Sequence, residues 1–134
     1  MSELVRTGLS LEKDLLEEFD AAIAKKGYQN RSEAVRDLIR DALVAKEVDE
    51  NRTVLGTLTI LYDHHQPNLT EKLTSAQHHA GSRILAATHV HVDHHNCLEV
   101  IIMKGRSRDL RQLAENMLSF RGVKHGQLAI TSAG

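Results

Sequence analysis

Tryptophan is absent from the 134 residues, and only two phenylalanines and two tyrosines are present. This scarcity argues against stacking on bases and against a large aromatic pocket, and it makes any core aliphatic. One cysteine, Cys97, rules out an intramolecular disulfide. No apolar run approaches the roughly 20 residues that cross a bilayer. The charged start Met1-Ser2-Glu3 has no apolar targeting segment behind it, so the expected compartment is the cytosol. A surplus of charge is missing too, the formal balance being -1. That figure hides an asymmetry: residues 1–50 hold eight Lys and Arg against twelve Asp and Glu, a balance of -4, leaving nine against six, or +3, for the remainder. Nucleic-acid binding by the first half therefore has to rest on local basic residues.

A hydrophobic share of 41% allows one ordinary core or two small ones. In Leu4-Val5-Arg6-Thr7-Gly8-Leu9-Ser10-Leu11, Val5, Leu9 and Leu11 alternate with Arg6, Gly8 and Ser10, the pattern of a short strand. A lone strand needs a partner for its backbone groups, and with no second strand nearby that partner is the same strand of another subunit, which predicts a dimer. Glu12 to Lys26 carries Leu15, Leu16, Phe19, Ala22 and Ile23 at helical spacing and stops at Gly27. Asn30-Arg31-Ser32-Glu33 supplies a cap, after which Val35, Leu38, Ile39, Ala42 and Leu43 continue a second helix to about Lys46. Residues 44–52 then lose apolar periodicity and gain charge, marking a junction between a module at 1–48 and another at 53–134.

This strand, helix, helix order, with the turn Gly27-Tyr28-Gln29-Asn30-Arg31-Ser32-Glu33-Ala34-Val35-Arg36, resembles the ribbon-helix-helix DNA-binding family. The resemblance implies paired strands in the major groove and a phosphate held where the second helix begins, at Asn30, Arg31 and Ser32. By alternation, the groove-facing residues are Arg6, Gly8 and Ser10. The competing reading makes them the solvent face of a ribbon that only dimerises.

From Thr53 the pattern runs strand (53–63), helix (68–82, capped by Asn68 or Thr70 after the lone Pro67), strand (83–92), strand (97–104), helix (107–120) and strand (123–131). This β-α-β-β-α-β order is the ferredoxin-like split unit, and the fold class is α+β.

Six of the nine histidines and the only cysteine fall between residues 78 and 97. In a strand, His89 and His91 share a face, while Ile84, Ala86, Val90 and Val92 take the other. Cys97 joins the histidine face if the hairpin around Asp93-His94-His95-Asn96 pairs 91 with 97, which needs an odd number of connecting residues or a bulge; His89 then lies opposite Glu99. His78, at the end of a helix packed on the sheet, is the best fourth donor, from its own chain or from a neighbour. Thiolate and imidazoles exclude calcium and magnesium and suit zinc, copper or nickel. His64 and His65 qualify as auxiliary ligands; His79, His94, His95 and His125 read as surface residues. Cys97 and a histidine could pair as a nucleophile, but four liganding positions argue against an enzyme.

The two modules together, with Gln77-His78, His89-Val90-His91 and Cys97-Leu98-Glu99 in this order, resemble the nickel-responsive transcriptional regulators (NikR family) over nearly the whole chain. The resemblance implies a homotetramer in which two ribbon dimers flank four C-terminal domains. It implies one nickel(II) per subunit, square-planar, bound by His89, His91 and Cys97 of one subunit and His78 of another. A second, weaker cation is implied between the domains, at Glu33 and Asp37 with backbone carbonyls near Leu118, Phe120 and Val123. Read alone, Glu33 is a capping residue and Asp37 a solvated one. The chain departs from the family pattern at Gly8, where a threonine usually meets the DNA, and at Gln66-Pro67-Asn68, which lacks a basic pair that touches phosphates in some members.

The expected function is repression of nickel-uptake genes through an inverted-repeat operator when nickel is bound. Its rivals are a repressor that senses copper, zinc or an organic ligand, and a metal buffer that does not bind DNA.

Overall fold

A computed structural model describes residues 2–134; Met1, the first residue of the expected DNA-binding module, lies outside the described residues. The chain divides into two compact units, Met1–Asp41 and Ala42–Gly134. No helix among the described residues is long and apolar enough to cross a membrane.

In the first unit, residues 2–12 are exposed and pair with no strand of the same chain. Leu4, Val5 and Leu9 are 85%, 82% and 71% exposed, a state apolar side chains leave when a partner is available. Helix α1 (Lys13–Lys25) ends where Gly27 adopts φ +84°, a left-handed turn in which the Tyr28 N–H donates to the Ile23 carbonyl at 3.1 Å. Helix α2 (Arg31–Asp49) is capped as its sequence predicts, the Asn30 side-chain oxygen accepting the Glu33 N–H at 3.0 Å. Its end at Asp49 lies within the charge-rich stretch 44–52, and Asn51 at φ +55° closes it, with the Arg52 N–H on the Glu47 carbonyl at 3.0 Å.

The second unit is a four-stranded antiparallel sheet in the order β2-β3-β1-β4, built from β1 (Thr53–Asp63), β2 (Ile84–His91), β3 (Asn96–Arg106) and β4 (Val123–Ser132). Helices α3 (Leu69–Ala80) and α4 (Ser107–Leu118) follow β1 and β3, completing the split β-α-β-β-α-β unit. One core holds both helices to one sheet face: Val54, Leu58, Ile60 and Tyr62 of β1 and Ile101 and Met103 of β3 meet Leu69 and Leu73 of α3 and Leu110, Ala114 and Met117 of α4.

Three local expectations are corrected. Asn68 does precede α3, but at φ +66° and without a side-chain cap bond, because the left-handed backbone makes the turn. That helix stops at Ala80, and Gly81 at φ +62° opens a single 3-10 turn, Gly81–Arg83. Ile84 pairs with Met103 and Ala86 with Ile102, so Leu85 is an extra residue that breaks the alternation. Ile84 therefore belongs to the core-facing side, against which it packs, and not to the side of Ala86 and Val90.

Candidate metal centre

The hairpin of β2 and β3 sets the geometry. His91 pairs with Cys97 and His89 with Glu99, the register that puts both imidazoles and the thiol on one sheet face. The connection from Val92 to Asn96 is odd in length, as that register demands. It is held by the Asp93 carboxylate, whose Oδ1 accepts the N–H groups of His95 and Asn96, both at 2.9 Å. The Asn96 side-chain amide, first, and these backbone donors hold the Asp93 carboxyl at about 2, well below the ordinary carboxylate range.

Along β3 the side chains of Cys97, Glu99, Ile101 and Met103 are buried, whereas β2 is the sheet edge and its His89 and His91 are exposed. The site is thus a buried sulfur beside open imidazoles. Cys97 Sγ lies 3.1 Å from His91 Nδ1, and the His89 and His91 ring centroids are 6.2 Å apart. Tyr62 stands across from Cys97 on β1; burial, then the charges of Glu99 and Cys97, push its hydroxyl up to about 12. Glu99 is anchored from α3, its Oε2 accepting the Gln77 amide at 2.7 Å.

That bond orients the end of α3. If Gln77 faces the sheet, His78 is turned by roughly 100° about the helix axis, and it is exposed. Among the described residues of this chain, no three His, Cys, Asp or Glu side chains are drawn together in a metal-holding arrangement. The hairpin brings His91 and Cys97 into contact and aligns His89 with them; it does not bring His78 to the same point. His64, at the end of β1, has its ring centroid 5.1 Å from that of His91.

The other candidates lie in the first unit. Arg6, Gly8 and Ser10 are in the exposed N-terminal segment, and a Cβ at Gly8 would meet nothing within 4 Å. Asn30 caps α2, Arg31 forms a two-pronged bond with Asp20 at 2.8 Å for each prong, and the Ser32 carbonyl accepts from Arg36 Nε at 3.2 Å. Asp37 is less free than its surroundings in sequence suggest: its Oδ2 accepts the Tyr28 hydroxyl at 2.6 Å and its Oδ1 lies 3.3 Å from Arg40. Sequence reasoning missed Tyr62 as a neighbour of Cys97, since cross-strand pairing between β1 and β3 leaves no local mark. It also missed the bond from Gln77 to Glu99, although both residues lie within the quoted motifs.

The donor chemistry fits a borderline transition metal. A thiol already in contact with one imidazole and flanked by a second is a set for nickel, copper or zinc rather than for a hard cation. Comparison with known proteins narrows this. Residues 55–131 match the NikR C terminal nickel binding domain, and residues 5–46 match the ribbon-helix-helix protein, copG family. Relatives named nickel-responsive regulator align along the full length. That of Solibacter usitatus is 52% identical, covering 100% of this chain and 97% of the relative. That of Nitratidesulfovibrio vulgaris (Miyazaki F) is 50% identical with the same coverage, and that of Trichlorobacter lovleyi 48% identical over 99% of this chain and 96% of the relative. With a ribbon-helix-helix half, a nickel-binding half and half-identical relatives along its whole length, the chain belongs to the family of nickel-responsive regulators.

Proposed function

We propose that this nickel-responsive DNA-binding regulator uses His89, His91 and Cys97 of one subunit and His78 of another to hold one nickel ion per subunit. The observation that carries the reading is the contact of buried Cys97 with His91, 3.1 Å, in a register that sets His89 on the same face. The exposed His78, next to a Gln77 tied to Glu99, supports donation to a neighbouring subunit. Bound nickel supplies a cross-link between subunits; the protein's part is to fix the thiol and to present the imidazoles. Glu99 and Gln77 keep the end of α3 against β3, so that ordering at His78 is transmitted to the hairpin.

In the same proposal the chain is a homotetramer, a dimer of dimers. Leu15, Leu38 and Ile39 of the first unit are half-exposed or more, and only Ile23 and Ala34 are buried among its described residues. A module with so little core of its own gains one by pairing with a second copy. On the sheet face away from the helices, Val90, Val92 and Ile102 are also exposed, 52%, 56% and 42%, a surface suited to burial between subunits.

DNA reading is assigned to Arg6, Gly8 and Ser10 of the paired ribbons, and phosphate contact to Asn30, Arg31 and Ser32. The operator is an inverted repeat matching the two-fold symmetry of the ribbons, in the cytosol, and its occupation represses nickel uptake. A weaker cation site using Glu33 and Asp37 belongs to the same reading; it requires Asp37 to exchange its bond with Tyr28 for a ligand. The experiment is a gel shift on the upstream region of a nickel-uptake operon, with and without nickel. Nickel-dependent retardation supports the reading, and metal-independent binding or none contradicts it. A nickel-loaded spectrum lacking a thiolate charge-transfer band would remove Cys97 from the set.

A further inference from the structure

Helix α2 begins in the first compact unit, and its residues from Ala42 onward belong to the second. It is the covalent link between the DNA-binding module and the nickel-binding one, so the way its end is fastened decides what can pass along it. Ser107, the first residue of α4 and only 2% exposed, donates its Oγ hydrogen to the Val48 carbonyl at 2.7 Å. In return α4 is capped by the end of α2: the Ser107 N–H donates to the Arg52 carbonyl at 3.1 Å, and the Arg108 N–H to Asn51 Oδ1 at 2.9 Å. Arg106, which precedes α4, makes no side-chain cap bond of its own. Two helix ends far apart in sequence thus satisfy each other's free backbone groups.

Asn51 serves this double cap in two ways. Its backbone, at φ +55°, lies in the left-handed region that asparagine tolerates better than most residues, and its side chain supplies the acceptor for α4. A further tie comes from the end of β4, where Ser132 Oγ donates to Glu47 Oε1 at 3.3 Å. The last turn of α2 is therefore held to the nickel-binding unit at three side chains, Asn51, Ser107 and Ser132.

The position of the cap in the sheet gives it reach. Strands β1 and β3 pair along their length, Thr53 with Arg106 at one end and Tyr62 with Cys97 near the other. The double cap adjoins the first pair, and the thiol of the proposed nickel set belongs to the second. Between them runs a stretch of strand spanning roughly 30 Å. Paired strands backed by a close-packed core pass a shift along their length instead of absorbing it.

We propose that Asn51 and Ser107 are positioning residues of the nickel response. They fasten the end of α2 to the nickel-binding unit, so that ordering of that unit by the metal reaches the DNA-binding module through the helix; they do not ligate the metal themselves. A loose connection at residues 46–52 would let each module respond alone. The proposal rests on nickel-dependent operator binding as read above.

The test uses the full-length protein, nickel(II) and DNA from the upstream region of a nickel-uptake operon. N51G/S107A removes both capping groups, while glycine keeps the left-handed turn accessible. Its nickel affinity should stay within about twofold of wild type, with the thiolate charge-transfer band retained, because both positions lie at the far end of β3 from Cys97. The factor by which nickel tightens operator binding should fall by about tenfold. N51D, which keeps an acceptor oxygen and tolerates the same turn, should preserve that factor. In unaltered protein, nickel should slow amide hydrogen exchange at Asn51, Arg52, Ser107 and Arg108, a readout that depends on no variant. Wild-type operator binding indifferent to nickel would overturn the proposal together with the reading it rests on. An undiminished nickel factor in N51G/S107A, or exchange at those four amides unchanged by nickel, would overturn the proposal alone.

Discussion

Cys97 is the one donor of the proposed nickel set that the fold buries, 1% exposed and packed among core residues. Its sulfur is therefore a neighbour of Tyr62 and His91 as well as the proposed metal ligand. Cys97→Ser should weaken nickel binding by orders of magnitude, because a hydroxyl is a poor soft donor. The apo protein should still fold, at a cost on the order of 1 kcal/mol, since the smaller hydroxyl can bond His91 but fills less volume. Thermal unfolding of the apo variant checks the second point, and its complete failure to fold would make Cys97 chiefly structural. Asp93 gives a prediction in pH. Its carboxyl is held at about 2 against an ordinary 3.8, so it supports the hairpin connection above the ordinary value. That support fades as pH falls through the interval and is gone below about 2. Carboxyl carbon shifts of Asp93 should titrate near 2, together with the amide shifts of His95 and Asn96; titration near 4 would show that the connection is loose.

At the scale of elements, the hairpin carries most of the site and most of its legibility. Two-residue alternation singles out His89 and His91, and an odd connection adds Cys97, because side-chain direction in a strand is fixed by parity. The same rule fails at Ile84, where the extra residue Leu85 reverses the parity and nothing in the sequence around Arg83-Ile84-Leu85 announces it. Long-range pairs are equally silent: the approach of Tyr62 to Cys97 depends on the register of β1 with β3, and the Gln77 bond to Glu99 on how α3 lies over the sheet. The N-terminal segment is readable only as far as its alternation, since among the described residues it pairs with no strand of the same chain. Distance along the sheet gives a further prediction. A Cβ on Gly126 of β4 would stand 2.7 Å from the Thr59 carbonyl oxygen and would run into Leu118. Gly126→Ala should therefore destabilise the fold by about 1–3 kcal/mol. Because β4 and β2 lie at opposite edges of the sheet, nickel affinity of the folded variant should stay within about twofold. Calorimetry and metal titration on one sample check both halves, and loss of nickel binding with the fold intact would show the sheet edges to be coupled.

For the whole molecule, the proposed switch requires the metal to join subunits. If His78 crosses to a neighbour, unfolding and refolding His78→Ala together with His89→Ala should restore tight nickel binding in a fraction of sites, because each variant supplies what the other lacks. Neither alone should bind tightly, and no restoration in the mixture would place His78 in the same chain as His89. If nickel and operator stabilise one and the same arrangement of subunits, linkage makes the effect reciprocal: whatever factor nickel adds to DNA affinity, DNA must add to nickel affinity. The most direct measurement is a nickel titration of the full-length protein with and without saturating operator, set beside operator titrations with and without nickel. Both should tighten by the same factor, whereas equal nickel affinity with and without DNA would show that metal binding and operator binding are uncoupled.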